Sequence, residues 1–151
     1  MYSIEEAFQI KQKFWVAFGQ YMALQSSAEG VKVNWLNYKT GVKDLYFRLD
    51  VDNRSASVRI EMAQKDPEIR ESLYEKFEMF ENVLHSYLEE DWIWNKDLYN
   101  EQGKIISTIG IKKEGISIFR ETDWQEIISF FKTRLLALDQ FWTENKEAFS
   151  M

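Results

Sequence analysis

The chain has 151 residues, 45% of them hydrophobic and 16% aromatic, with one proline, six glycines and no cysteine. That is material for one packed core, and it excludes a disordered, collagen-like or low-complexity chain as well as any disulfide, thiol nucleophile or zinc-thiolate site. The formal charge of −6 disfavours broad non-specific binding to a phosphate backbone, although residues 31–65 carry a local +3 and residues 66–101 a local −8.

At the N-terminus, Ser3 and Glu6 have the spacing of a capping box, and Ile4, Ala7, Phe8, Phe14, Trp15, Phe18, Tyr21 and Met22 continue at helical spacing. A helix is predicted from there to near Gln25. The first residues lack a basic stretch followed by an apolar one, and no apolar run approaches the ~18–20 residues of a bilayer crossing. A cytoplasmic protein without membrane contact is the expectation.

Three strands are expected next. Val31–Tyr38 is the first, followed by turn residues Lys39-Thr40-Gly41. Leu45, Phe47, Leu49 and Val51 then alternate with polar neighbours, and so do Ala56, Val58, Ile60 and Met62. A two-residue turn at Asn53-Arg54 sets a register in which opposed residue numbers sum to 107. Leu49 then faces Val58 and Phe47 faces Ile60 on the buried side, while Arg48 faces Arg59 and Tyr46 faces Glu61 on the other.

Asp66-Pro67 reads as a cap and first helical position, opening a helix to about Glu89-Glu90 with Ile69, Leu73, Phe77, Phe80, Leu84 and Leu88 inward. Trp92–Trp94 reads as a short strand, Asp97–Gly103 as a polar loop, and Lys104–Lys112 and Ile116–Phe119 as two further strands. Thr122 with Gln125 has capping-box spacing at the start of a last helix, buried through Trp124, Ile127, Ile128, Phe131, Leu135, Leu138 and Trp142. Residues 1–151 therefore read as a single α+β domain, a mostly antiparallel sheet with three packed helices in the order α-βββ-α-βββ-α. The adjacent pairs Phe14-Trp15 and Phe141-Trp142 point about 100° apart on a helix, so each is expected to fill core and some surface, which suits a homodimer or partner-protein contact.

The residues for most enzyme chemistry are missing. The single histidine, His85, has no second ligand at metal spacing, the glycines are isolated, and no nucleophile elbow occurs. One catalytic arrangement has support from element order. Helix, three antiparallel strands, helix, strand resembles the core of the PD-(D/E)xK restriction-endonuclease-like families, which implies two carboxylates holding magnesium beside a lysine. Asp44 and Glu61 are diagonal neighbours on one sheet face here, and Lys65 lies beyond Glu61-Met62-Ala63, so the family's lysine is not in its usual place. The alternative catalytic set is thus Asp44, Glu61 and Lys65, with magnesium on the two carboxylates.

The facing Arg48 and Arg59 form the other candidate. Like charges directly opposed on a sheet are unfavourable unless neutralised, either by Asp50 and Glu61 or by an external anion. For an anion, Lys39 and Lys43 would add charge, and Asn37 and Tyr38 hydrogen bonds and stacking. Without magnesium chemistry the expectation is a non-enzymatic domain, with no cofactor, that binds a protein partner or anionic ligand through the sheet's polar face. Nucleic acid is disfavoured by net charge.

The stretch Asn34-Trp35-Leu36-Asn37-Tyr38-Lys39-Thr40-Gly41-Val42-Lys43, with Tyr46-Phe47-Arg48-Leu49-Asp50, Trp92-Ile93-Trp94 and Ile127 through Trp142, resembles the family called domain of unknown function 4268. The likeness covers nearly the whole chain. It implies an accessory role near nucleic-acid processing, and it carries no catalytic residue.

Overall fold

A computed structural model describes residues 2–150. Helix α1 (Ile4–Met22) opens with the expected capping box, in which the Ser3 hydroxyl accepts from the Glu6 N–H and Glu6 accepts from the Ser3 N–H. Strands β1 (Leu45–Val51) and β2 (Ser55–Met62) form an antiparallel hairpin. Helices α2 (Pro67–Met79) and α3 (Glu81–Leu88) follow, then strands β3 (Ile93–Tyr99) and β4 (Ile105–Glu114), and finally α4 (Trp124–Asn145). The four strands make one antiparallel sheet in the order β1-β2-β4-β3.

The hairpin has the register read from its turn: Arg48 pairs with Arg59, Tyr46 with Glu61, Phe47 with Ile60 and Leu49 with Val58. Asp52 closes the turn by accepting from the backbone N–H groups of Arg54 and Ser55. Because side chains alternate, Phe47, Val58, Ile60, Met62 and Ile109 lie under the helices while Tyr46, Arg48, Asp50, Arg59, Glu61, Thr108 and Gly110 occupy the other face. The domain is therefore two layers, with helices on one side of the sheet only.

Helix α4 is the centre of the helical layer. Its Phe131 packs on Phe14 and Phe18 of α1, its Trp142 meets Phe47 of the sheet edge-on, and its Phe141 meets Tyr87 of α3. Contact on several sides buries both Phe141 and Trp142, so this pair presents no surface, contrary to expectation. At Phe14-Trp15 the expected division holds, with Phe14 buried and Trp15 half-buried. Aromatic burial on this scale is a dominant favourable term of such a core.

The element order differs from expectation at four places. Val31–Tyr38 is not a strand. Asn34 Oδ1 accepts from the N–H groups of Leu36 and Asn37 and winds residues 35–37 into a 3₁₀ turn, while the Trp35 indole donates to Gln25 O. An Asn that satisfies the backbone locally competes with ladder pairing. Ile116–Phe119 is not a strand either; Ile116 and Ile118 are core residues, and the Ile118 N–H donates to Asp52 O at the hairpin turn instead of joining a ladder. The helix from Asp66 breaks at Phe80, whose φ of −99° and ψ of 12° leave the helical region and redirect α3. Asp97 begins no loop, because β3 runs to Tyr99 with a bulge between Asn95 and Leu98. The order α-ββ-αα-ββ-α replaces α-βββ-α-βββ-α, and the three consecutive strands needed for the endonuclease-like order do not form.

The capping box expected at Thr122 is also absent. Asp123 instead uses Oδ2 to accept from the Ser117 N–H and to pair with Arg120, and a short 3₁₀ turn precedes α4. No helix among the described residues is long and apolar enough to cross a membrane.

Candidate functional site

The outer sheet face is built around one acid between two guanidinium groups. Glu61, only 7% exposed, accepts from Arg48 Nε at 3.4 Å through Oε2 and from Arg59 Nε at 3.0 Å through Oε1. Asp50 pairs with the other end of Arg59 through Nη1. Burial opposes the charge on Arg59, but hydrogen bonds and attraction from Asp50 and Glu61 outweigh it and hold its pKa above the ordinary value. The like-charged pair is thus neutralised from within the sheet.

Arg48 is left differently from Arg59. Its guanidinium carbon lies 4.0 Å from the centre of the Tyr46 ring, and its side chain is 47% exposed. Only its Nε is held, so among the described residues Nη1 and Nη2 have no partner. The result is a stacked, oriented cation with its outer edge toward solvent.

A glycine makes room for this arrangement. Gly110 of β4 pairs with Arg59, and a Cβ there would stand 2.9 Å from the Arg59 Cβ and 3.1 Å from Val58 O. Gly110→Ala is expected to cost about 1–3 kcal/mol in urea unfolding by overpacking, and to weaken the Arg59–Glu61 pair. Stability equal to the native chain would refute the close approach as the reason for glycine.

The remaining expected residues fall in other places. Lys43, Asp44 and Lys65 line a cleft of about 560 Å³ with Ile69, at the start of α2. Asp44 has a positive φ of 61°, its carbonyl accepts from the Ala63 N–H, and its carboxylate accepts from the Tyr46 hydroxyl. Glu61 is not among the residues lining that cleft. Strand β2 ends at Met62, so Lys65 is not carried on the sheet face with Glu61. No three His, Cys, Asp or Glu side chains among the described residues are grouped as a metal would need. Glu61 is held by two guanidinium groups and lies outside the cleft that Asp44 and Lys65 line, so the three side chains are not brought together.

Lys39 and Tyr38 line a third place, a cavity of about 290 Å³ beside α4, and Asn37 is exposed on the 3₁₀ turn. Here Asp139, 2% exposed, accepts from the Tyr38 hydroxyl at 2.6 Å and from the Ala28 N–H at 2.7 Å. Burial and the hydrogen bond to Asp139 raise the Tyr38 phenol far above its usual range. Of the expected anion-binding set, the fold brings together Arg48 and Arg59 but sends Lys43 to one cleft and Tyr38 and Lys39 to another.

Two charged residues of the interior went unread in the sequence: Asp139 and Arg70. The signal was available. Asp139 stands in phase with Leu135, Leu138 and Trp142, and Arg70 with Leu73, Tyr74 and Phe77, each at the i, i+3, i+4, i+7 positions of a buried face. Ile69, expected inward, is exposed instead.

The family model Domain of unknown function (DUF4268) matches residues 10–146, which include the hairpin, both arginines and the whole sheet. The chain belongs to this family. No curated protein and no solved structure matches it. The matched span of this DUF4268 domain begins inside α1 and ends just after α4, so the two-layer architecture and the outer face lie within it.

Proposed function

We propose that this DUF4268 domain is a non-enzymatic binding module, whose outer sheet face takes a carboxylate- or phosphate-bearing segment of a partner protein. The observation that carries the reading is Arg48. Its guanidinium is stacked on Tyr46 and fixed through Nε by Glu61, with both terminal nitrogens free of partners among the described residues. A planar cation oriented in advance favours bidentate recognition of a carboxylate or phosphate and loses little freedom on binding. Lys112 adds charge in the neighbouring row, opposite Ser57. Any role near nucleic-acid processing would then run through a protein contact, consistent with the acidic total.

Calorimetric titration with an acidic peptide, its phosphorylated form and a single-stranded oligonucleotide tests this. Arg48→Ala is expected to weaken peptide binding by about tenfold, equal to about 1.4 kcal/mol. An unchanged affinity, or no binding by either peptide, overturns the reading. Binding of the oligonucleotide alone would transfer the face to nucleic acid.

A second reading, a divergent magnesium-dependent nuclease using Asp44, Glu61 and Lys65, draws on Asp44 and Lys65 lining one cleft. It requires Glu61 to leave two guanidinium groups for a metal. Plasmid cleavage in magnesium that is lost in Glu61→Ala would establish it over the binding module.

A further inference from the structure

Arg70 is the most deeply buried cation that the outer face does not use. It lies in the first turns of α2 and is 6% exposed. A guanidinium brings five N–H donors, and those of Arg70 that lack a protein partner still reach solvent through the cleft. Among the described residues its guanidinium makes one hydrogen bond: Nη1 donates to Gln64 O at 2.7 Å. The nearest carboxylate, Asp97 Oδ1, stands 3.7 Å from Nη2, beyond hydrogen-bond reach, and the Asp97 side chain is itself largely exposed.

Arg70 lines a cleft of about 310 Å³ between α2 and the β3–β4 hairpin. Pro67, Tyr99 and Ile105 give it apolar walls, and Ser107 lies further in. Ser107 is not free to serve a ligand, because its hydroxyl donates to Lys96 O at the bulge of β3. Lys96 and Glu71, which also line the cleft, are paired with each other at 2.8 Å. The charges not closely matched are therefore Arg70 and the largely exposed Asp97, 3.7 Å apart. Tyr99 and Ile105 form the last pair of the hairpin and are exposed, although they lie next to a buried guanidinium. A cation at the back with apolar walls in front is complementary to a carboxylate on an apolar body. Among the described residues the outer edge of β3 has no strand neighbour, so the backbone there is open to an extended peptide.

We propose that this cleft binds a carboxylate carried on an apolar group, with Arg70 as the anion contact and Tyr99 and Ile105 as the walls. The site is independent of Arg48. Both a peptide C-terminus and a free carboxylic acid have the required chemistry. When either binds, the incoming carboxylate replaces Asp97 as the partner of Nη2, and the Asp97 side chain turns to solvent.

Titration of the full chain with three probes, followed by amide chemical shifts, tests the site. The probes are an acetylated valine-rich hexapeptide ending in a free carboxylate, the same peptide as its C-terminal amide, and hexanoate. The free-acid peptide is expected to bind with a Kd of about 1 mM or tighter, shifting β3 and α2 signals, and the amide about tenfold more weakly. Hexanoate matching the acid peptide would assign the cleft to small acids, and hexanoate binding far more weakly would assign it to chain termini. Arg70→Met is expected to abolish binding. Because that variant also loses the tie to Gln64, Asp97→Asn serves as the variant that leaves the core intact. With the internal competitor removed, binding should tighten by about threefold or more. Equal binding of acid and amide, no binding of any probe, or unchanged or weaker binding in Asp97→Asn overturns the proposal. Arg48→Ala should leave these shifts unchanged, whereas loss of them would merge this site with the outer face and refute its independence.

Discussion

Replacing Asp139 by alanine is expected to remove about 3 kcal/mol of stability, a fall in Tm of about 6–12 °C for a chain of this length. The carboxylate is nearly inaccessible and receives two strong hydrogen bonds, from the Tyr38 hydroxyl and the Ala28 N–H. Alanine removes the shared acceptor of both donors and releases the connection between α1 and β1 from α4. Tyr38→Phe removes one of the two bonds and should lose about half as much. Urea titration of the three proteins measures this, and a loss under about 1 kcal/mol for Asp139→Ala would show that the connection is held mainly by Trp35 and its apolar neighbours.

The same pair fixes an alkaline limit. Below pH ~10 the Tyr38 phenol is neutral in both folded and unfolded chains, so its pKa shift has no effect on stability there. Above that, the unfolded chain ionises first while the folded one still holds its proton, so stability falls as pH rises. Tyr38→Phe should lessen this slope without abolishing it, because Tyr46, Tyr74 and Tyr87 are raised as well.

Glu61→Ala is expected to cost about 2–3 kcal/mol and to make stability salt-dependent. The acid is buried beneath Arg48 and Arg59, and its loss leaves the two guanidinium groups facing each other with only Asp50 on one of them. Added salt should return part of the loss by screening the repulsion. Pairing Glu61→Ala with Arg48→Ala should recover stability relative to Glu61→Ala alone, giving a coupling term in a double-mutant cycle. Strict additivity of the two changes would mean that the network across β1 and β2 contributes nothing beyond its separate side chains.

The hairpin was legible because its information is local. A two-residue turn and period-two alternation fix the pairing of Leu45–Val51 with Ser55–Met62, and that pairing places Arg48 opposite Arg59 without reference to any other element. The caps at Ser3 and Asp66 are local in the same sense, each side chain satisfying N–H groups within three residues. Val31–Tyr38 and Ile116–Phe119 misled for a shared reason. Apolar residues in a short run mark burial, and burial alone does not separate a ladder strand from an irregular segment pinned by Asn34 or by Asp52 O. Helix α2 keeps the expected inward period at Leu73 and Phe77 but not at Ile69, and the break at Phe80 follows from packing: Phe80 turns onto Phe149 from the far end of the chain.

The sequence by itself determined the composition class, the α4 face, the β1–β2 register and the facing arginines, since neighbours within a few residues settle each of these. Of the α1 stripe, by contrast, Phe14, Phe18 and Met22 are buried and Ile4, Phe8 and Tyr21 are exposed. Only the tertiary structure decided how charge is matched. It placed Glu61 and Asp50 on the arginines, set Lys43 and Tyr38 in separate clefts, joined Asp139 to a loop 101 residues away at Tyr38, and sank Arg70 beside a distant Asp97. Charge pairing depends on distances of a few ångströms between side chains from remote segments, and sequence spacing does not fix those distances.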